Sequence, residues 1–397
     1  MHKPIILFFF LQSFLSAQDQ NALSQAFPRG KVLGNITLFA YNIDKKNEEA
    51  SYATALGGFL KYSTDSSNPL FASVRFHQSS PVGPDKNRED TRLFNNDRGG
   101  SSLSALSESF IAYRHGNRIL KAGNMMLETP MMNDDTTRIV PWSYQGFAFT
   151  SEKLSDTKVQ LNYITQIREN TSADYKQESA SGEFDKGISM LGITYEGIKE
   201  FSLQAYYYHA PELYSTFVGQ LDYEHTLDEE YLFCFGLQYY KSGNGGKYND
   251  PLSRNGGDDI DLLATRFSID GNNWNLGINY SQNFGLSGII RGYGGLARVY
   301  TTSMIANGRG NFRPETWMLK SRYDLDPFEY GQSELALWLT HTRTHEPEGE
   351  DFNAYYTHLR HYFNTETSVY IRFEAIDYLS QHKTDVTHLR LIASYDF

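Results

Sequence analysis

From residue 31 to the C-terminus, apolar and polar side chains alternate at every second position, in runs of about ten residues separated by polar, glycine-rich stretches. The last run is the clearest. Leu389, Leu391, Ala393, Tyr395 and Phe397 share one parity, and His388, Arg390, Ser394 and Asp396 share the other, with Ile392 the exception. Upstream, Val369, Ile371, Phe373 and Ala375 alternate with Tyr370, Arg372 and Glu374. Tyr355, Leu359 and Phe363 alternate with Tyr356, His358, Arg360 and Tyr362, and Trp317, Leu319, Tyr323 and Leu325 with Lys320, Arg322 and Asp324. A period of two places the two sets on opposite faces of a strand. Helical periodicity persists nowhere.

Runs of this kind fall near 31–41, 51–62, 70–78, 106–114, 118–125, 144–152, 157–167, 188–195, 201–209, 213–225, 231–240, 260–270, 274–283, 317–324, 333–342, 353–362, 366–377 and 384–397. They predict about eighteen antiparallel strands, an even number as in bacterial barrels. The connections alternate in length. Short turns are expected at 113–118, 151–157, 196–201 and 270–274. Long loops are expected at 79–105, 126–144, 168–187, 241–259, 284–316 and 342–352. The pattern predicts an all-β transmembrane antiparallel barrel with short turns on one side and long loops on the other. The glycine-rich 284–316 segment reads as an external loop within reach of the pore mouth.

Composition sharpens this picture. The chain has 28 Tyr and 26 Phe among 397 residues, as expected where strands end in aromatic girdles. No apolar run long enough for a spanning helix follows the N-terminus. Met1-His2-Lys3, the apolar stretch 5–11 and Leu15-Ser16-Ala17 have the layout of a secretory signal peptide. The expected organisation is therefore a signal peptide over 1–17 and a single outer-membrane barrel domain over 18–397. The single Cys234 rules out an intramolecular disulfide. A net charge of −11 argues against nucleic acid as a partner. Phe397 closes the last alternating run, and an aromatic in that frame resembles the C-terminal signal by which barrel assembly machinery recognises outer-membrane barrels.

If the apolar parity faces lipid, the other parity lines the lumen. Arg75, Lys121, Lys320, Arg322, Arg360, Arg372 and Arg390 then point inward, with His77, His358 and His388. First and last strands meet when a barrel closes, so these cations fall along one stretch of wall. A file of fixed positive charge offers a dissolved anion successive resting points. The plainer reading is that these cations pair with acids such as Glu374 and Asp324. Between the fifth and sixth runs lies a connection bounded by Pro130 and Pro141 and carrying Glu128, Asn133, Asp134, Asp135 and Arg138. Proline donates no amide hydrogen and ends ladder pairing, and the Asn-Asp-Asp run favours side-chain-to-backbone turns. Such a segment can fold compactly into the lumen, its carboxylates opposite the basic wall.

This connection resembles the constriction loop of OprD-type porins. It carries Thr129-Pro130, then Asn133-Asp134-Asp135, Arg138, Pro141, and Tyr144 before Gly146. The 22–41 and 317–328 segments are similar to that family as well. Two positions depart from it: Asn124 stands where a basic residue is frequent and Gln145 where an acid is frequent, both expected beside the constriction. The resemblance implies an eighteen-stranded barrel in the bacterial outer membrane and a basic ladder facing an acidic loop. It also implies passive uptake of small carboxylate-bearing or zwitterionic solutes, and it allows a homotrimer.

Other classes fit less well. A barrel hydrolase lacks a Gly-x-Ser-x-Gly elbow here. His341 and His345 lie among Arg343, Glu346 and Glu348, in the manner of a charged surface loop rather than a metal site. The glycine-rich 241–257 stretch lacks the ending of a phosphate loop. A plugged transporter would need a domain ahead of the first strand. A non-conducting adhesin or structural barrel is the main alternative. The reading is thus of a channel and not an enzyme, without cofactor or metal, whose partners are the bilayer and small solutes.

Overall fold

The computed structural model describes residues 30–397, apart from 180–181, 212, 229, 245–259, 286–292, 304–312, 329–330, 345–350 and 380–382. The segment 1–17 expected to be a signal peptide, most of the 241–257 glycine stretch and His345 lie outside the described residues.

Eighteen strands form one continuous antiparallel sheet. They are β1 (Lys31–Lys45), β2 (Ser51–Ser63), β3 (Leu70–Pro81), β4 (Leu103–His115), β5 (Arg118–Met125) and β6 (Ser143–Ser151), followed by β7 (Thr157–Arg168), β8 (Ile188–Ile198), β9 (Phe201–Ala210), β10 (Tyr214–Thr226), β11 (Leu232–Asn244) and β12 (Asp261–Asp270). The last six are β13 (Trp274–Asn283), β14 (Glu315–Phe328), β15 (Gly331–Arg343), β16 (Phe352–Tyr362), β17 (Thr367–Tyr378) and β18 (Val386–Asp396). Each strand pairs with its neighbours in sequence, and β18 returns to β1 in a register running from Asn35↔Asp396 to Lys45↔Val386. That last ladder leaves the sheet without an edge, so no row of backbone groups faces lipid unpaired. Among the described residues no helix is long and apolar enough to cross a membrane.

Side-chain parity follows the alternation in the sequence. Leu389, Leu391, Ile371, Phe373, Leu359 and Leu319 are exposed on the outer face, while Arg390, His388, Glu374 and His358 are buried inside. The outer face is thus the one that meets hydrocarbon, and a polar lumen lies behind it.

The seam also explains the chain end. Phe397 exchanges backbone hydrogen bonds with Gly34, at 2.9 Å from its amide and 2.8 Å to its carbonyl. Its ring lies over Gly34, where a Cβ would collide with it. Gly34→Val is therefore expected to displace the ring and lower stability by about 1–3 kcal/mol. Urea unfolding followed by the heat-modifiable band on gels measures this, and an unchanged midpoint would contradict the packing described.

Candidate pore constriction

The loop at 126–142 leaves β5 and turns into the barrel. Asn133 is buried there, and Met131, Met132 and Trp142 are buried in one cluster with Tyr144, Tyr208, Tyr240 and Tyr293. A tight turn starts it: the Thr129 amide donates to the Met132 carbonyl at 2.9 Å, and the Met132 amide donates to the Thr129 hydroxyl at 3.0 Å. Tyr208 on the β9 wall donates its hydroxyl proton to Thr129 Oγ1 at 2.9 Å and accepts from the Met131 amide at 3.2 Å. Asp135 sits at φ +43°, in the left-handed region that Asp tolerates. The return is fastened by Arg168, which is fully buried and donates to the Pro141 carbonyl at 2.7 Å and to Ser143 Oγ at 2.9 Å. The inward fold of this loop was legible in the sequence. Tyr208 and Arg168 were not, because a wall residue's partner depends on register.

A second segment, 293–303, also lies inside the barrel, deeper than an external loop. Gln238 and Tyr240 of β11 both donate to the Arg298 carbonyl, at 2.9 and 3.1 Å. The Tyr300 amide donates back to Gln238 at 3.1 Å, and the Tyr300 hydroxyl donates to Asp222 at 2.7 Å. Ser303 reaches Glu374 on β17. The two inward segments clasp at Asn133, whose side-chain amide donates to the Leu296 carbonyl at 2.7 Å while its carbonyl accepts from the Leu296 amide at 3.1 Å. Gly295, at φ +73°, makes this approach feasible, because a Cβ there would strike the Asn133 backbone. The Arg298 side chain pairs with Glu128 across the same junction.

The basic residues divide into two kinds. Arg75 and Lys61 share Glu108, at 3.4 and 2.8 Å, and Arg75 also stacks on Phe59. Arg322 pairs with Asp324 at 3.6 Å. Lys121 and Lys320 sit over Phe110 and Trp338, at 4.9 and 4.5 Å from the ring centres. Near the closing seam, Arg360, Arg372 and Arg390 are held by rings without an ion-pair partner among the described residues. Arg360 and Arg372 flank Tyr370, and Arg390 lies 4.3 Å over Tyr41 while donating to its hydroxyl at 2.9 Å. Arg372 and Arg390 are direct register partners, like charges set side by side. Nε and Nη1 of Arg390, and Nε of Arg360, Arg372 and Arg138, have no hydrogen-bond acceptor among the described residues.

The loop charges are arranged differently from the simple opposition expected. Arg138 also lies over the Tyr41 ring, 5.3 Å from its centre, so the loop brings a further cation to the basic wall. Burial and the Arg390 charge push its guanidinium down to about 9, which leaves it charged at neutral pH. Glu128 and Asp134 are gathered near Arg298 instead. Burial, and then the Glu128 charge, raise the Asp134 carboxyl above its ordinary range. Asn124 and Gln145 also differ from expectation. They are register partners, joined by a 3.1 Å bond from Gln145 Nε2 to Asn124 Oδ1, on the same outward parity as Ile111, Ala122 and Phe147. They alter no charge in the lumen.

Two outcomes follow. Asn133→Ala would strand both Leu296 backbone groups at a cost of about 1–3 kcal/mol. The clasp loosens, and single-channel recordings are expected to show higher conductance with more open-channel noise. Because the Asp134 pKa is raised, acidification from neutral towards about pH 5 removes negative charge here before it does so at ordinary carboxylates. Reversal potentials in a salt gradient should therefore move towards anion preference as pH falls, and by less in Asp134→Asn.

Comparison with known proteins accords with this geometry. The family model "outer membrane porin, OprD family" matches residues 82–395. Among solved structures, OccAB3 of Acinetobacter baumannii superposes with a TM-score of 0.81 at 15% identity, covering 93% of this chain and 99% of its own. OccAB2 of the same organism gives 0.82 at 16% identity, covering 93% and 98%. OpdK of Pseudomonas aeruginosa, solved with vanillate, gives 0.78 at 16% identity, covering 92% and 98%. No curated protein matches the sequence. With a family match over most of the chain, a closed eighteen-strand wall and an inward-folded loop, this chain belongs to the OprD family of porins in the bacterial outer membrane.

Proposed function

We propose that this porin is a substrate-preferring channel for passive uptake of small carboxylate-bearing solutes, amino acids among them. One observation carries the reading. Arg390, Arg372, Arg360 and Arg138 are gathered on the rings of Tyr41 and Tyr370, and none of the four forms an ion pair with a carboxylate among the described residues. Stacking holds each cation in place without spending its charge on a carboxylate, which leaves a positive field along this wall for an anion. A carboxylate drawn by that field can pass between neighbouring rungs. Glu128 and Asp134, beside Arg298, offer a facing position for an ammonium group. OpdK, a structural neighbour solved with vanillate, binds a carboxylate of this general kind. Arg75, Lys121, Lys320 and Arg322 serve the outer reaches of the same field, partly neutralised by their own partners. Phe397 is the proposed assembly signal, and neither metal nor cofactor has a part in this scheme.

The test is conduction through the mature chain folded into a planar bilayer, with salts of small organic acids on one side. Discrete current steps and an anion-dependent reversal potential are expected. Arg390→Ala should lower the permeability ratio for a monocarboxylate over its counter-cation by roughly five-fold, the scale of about 1 kcal/mol for one charge close to the solute at high dielectric. Folded protein giving no steps at any voltage would sink the channel reading. Steps with an unchanged ratio in the variant would sink only the ladder.

A further inference from the structure

Four of the chain's eight methionines stand within the stretch 125–132, where β5 gives way to the constriction loop. Their settings differ. Met125, Met131 and Met132 are 1%, 3% and 0% exposed, and Met190 and Met318 are 3% and 1% exposed. Among the described residues, Met126 is the one methionine that keeps solvent access.

That access is from the lumen. Met126 Sδ lies 3.8 Å from Nη1 of Arg75, which points inward between the outward-facing Val74 and Phe76 of β3. The Arg75 guanidinium crosses β4 to make this contact. Its Nε meets Glu108 of β4 at 3.4 Å, and its plane lies 4.6 Å over the Phe59 ring of β2. A thioether is a weak acceptor, so the sulfur takes little from the Nη1 edge.

Addition of one oxygen atom to Met126 changes that balance. Oxidation turns a flexible apolar side chain into a polar one, and the sulfoxide oxygen is a far better acceptor than the sulfur it sits on. Here that oxygen falls within reach of a cationic donor, and hydrogen bonds from charged donors are the strong ones. The bond would spend part of the Arg75 field on the protein itself. It would also act at the root of the loop that carries Glu128 and Asp134.

We infer that Met126 is an oxidation site through which a small oxidant lowers the anion preference of the pore. Hypochlorous acid is of the fitting class, a small uncharged donor of an oxygen atom. In the net step its oxygen passes to Sδ: the S–O bond forms, the O–Cl bond breaks, sulfur is oxidised, and chloride and a proton leave. A molecule of this size is smaller than the solutes proposed to pass, so the lumen admits it to Met126 while the buried methionines stay covered. The effect on anion preference rests on the channel reading given above, whereas the site of oxidation does not.

The experiment uses folded full-length porin carrying Cys234→Ala, which removes the one thiol. It is treated in detergent micelles with a few equivalents of hypochlorous acid, digested, and mapped by tandem mass spectrometry. Met126 is expected to gain oxygen about ten-fold faster than Met125, Met131, Met132, Met190 and Met318, as exposure dictates. In planar bilayers the treated porin should show a permeability ratio for a monocarboxylate over its counter-cation lowered by about two-fold, less than loss of a whole charge gives. Met126→Leu, close in volume, should not respond to treatment. Met126→Gln, which sets an amide oxygen beside Arg75, should show the lowered ratio with no oxidant. Heat-modifiable mobility checks that each variant is folded. Equal oxidation rates across these methionines overturn the inference. So does a drop in ratio that persists in Met126→Leu, and so does an unchanged ratio in both the treated porin and Met126→Gln. Untreated porin that carries no current sinks the channel reading instead, and the rate comparison alone then upholds or overturns Met126 as the site.

Discussion

Hydrocarbon offers no hydrogen bond, so every amide and carbonyl in a membrane wall must find its partner within the wall itself. In this chain the ladder between β1 and β18 meets that demand. Without it the sheet would expose two long edges, and the alternating outer face would have nothing to close around. The Phe397–Gly34 contact sits at the end of the same ladder, so the chain terminus forms part of the closure. Once the wall is closed, its inward parity must be polar or covered, and the remaining structure is the consequence.

The lumen is covered by two segments that would be loops in a simpler barrel. Each is held by side-chain bonds from the wall to its backbone: Tyr208 and Arg168 for the first, Gln238 and Tyr240 for the second. Buried backbone groups away from a ladder are costly unless paired, which is why so many wall hydroxyls and amides are spent this way. Asn133 then joins the segments by imitating a peptide group against Leu296. The aperture is therefore set by a hydrogen-bonded clasp between two loops, and its charge comes from both: Glu128 and Asp134 from one, Arg298 from the other.

On the opposite side, the basic wall resolves a conflict. Arg372 and Arg390 are register partners, and like charges at that spacing repel. Aromatic faces compensate, with Tyr41 shared by Arg390 and Arg138, and Tyr370 by Arg360 and Arg372. Farther round the wall, Arg75 and Lys61 pair with Glu108, and Arg322 with Asp324.

How much of this was legible beforehand follows from the range of each interaction. A period of two is local and leaves its mark in every run, so the strand number and the inward set of Arg75, Arg360, Arg372 and Arg390 could be read from the sequence. Register is not local. It decided that Glu108 serves Arg75 and Lys61, that Arg138 joins the basic wall instead of facing it with acids, and that 293–303 folds deep inside to place Arg298 on Glu128. It also turned Asn124 and Gln145 from departures beside the constriction into partners on the outer wall. Which face each side chain takes depends on its immediate neighbours, and so could be read along the chain. Only the closed barrel decided which side chains meet, because that depends on strands brought together from distant parts of the chain.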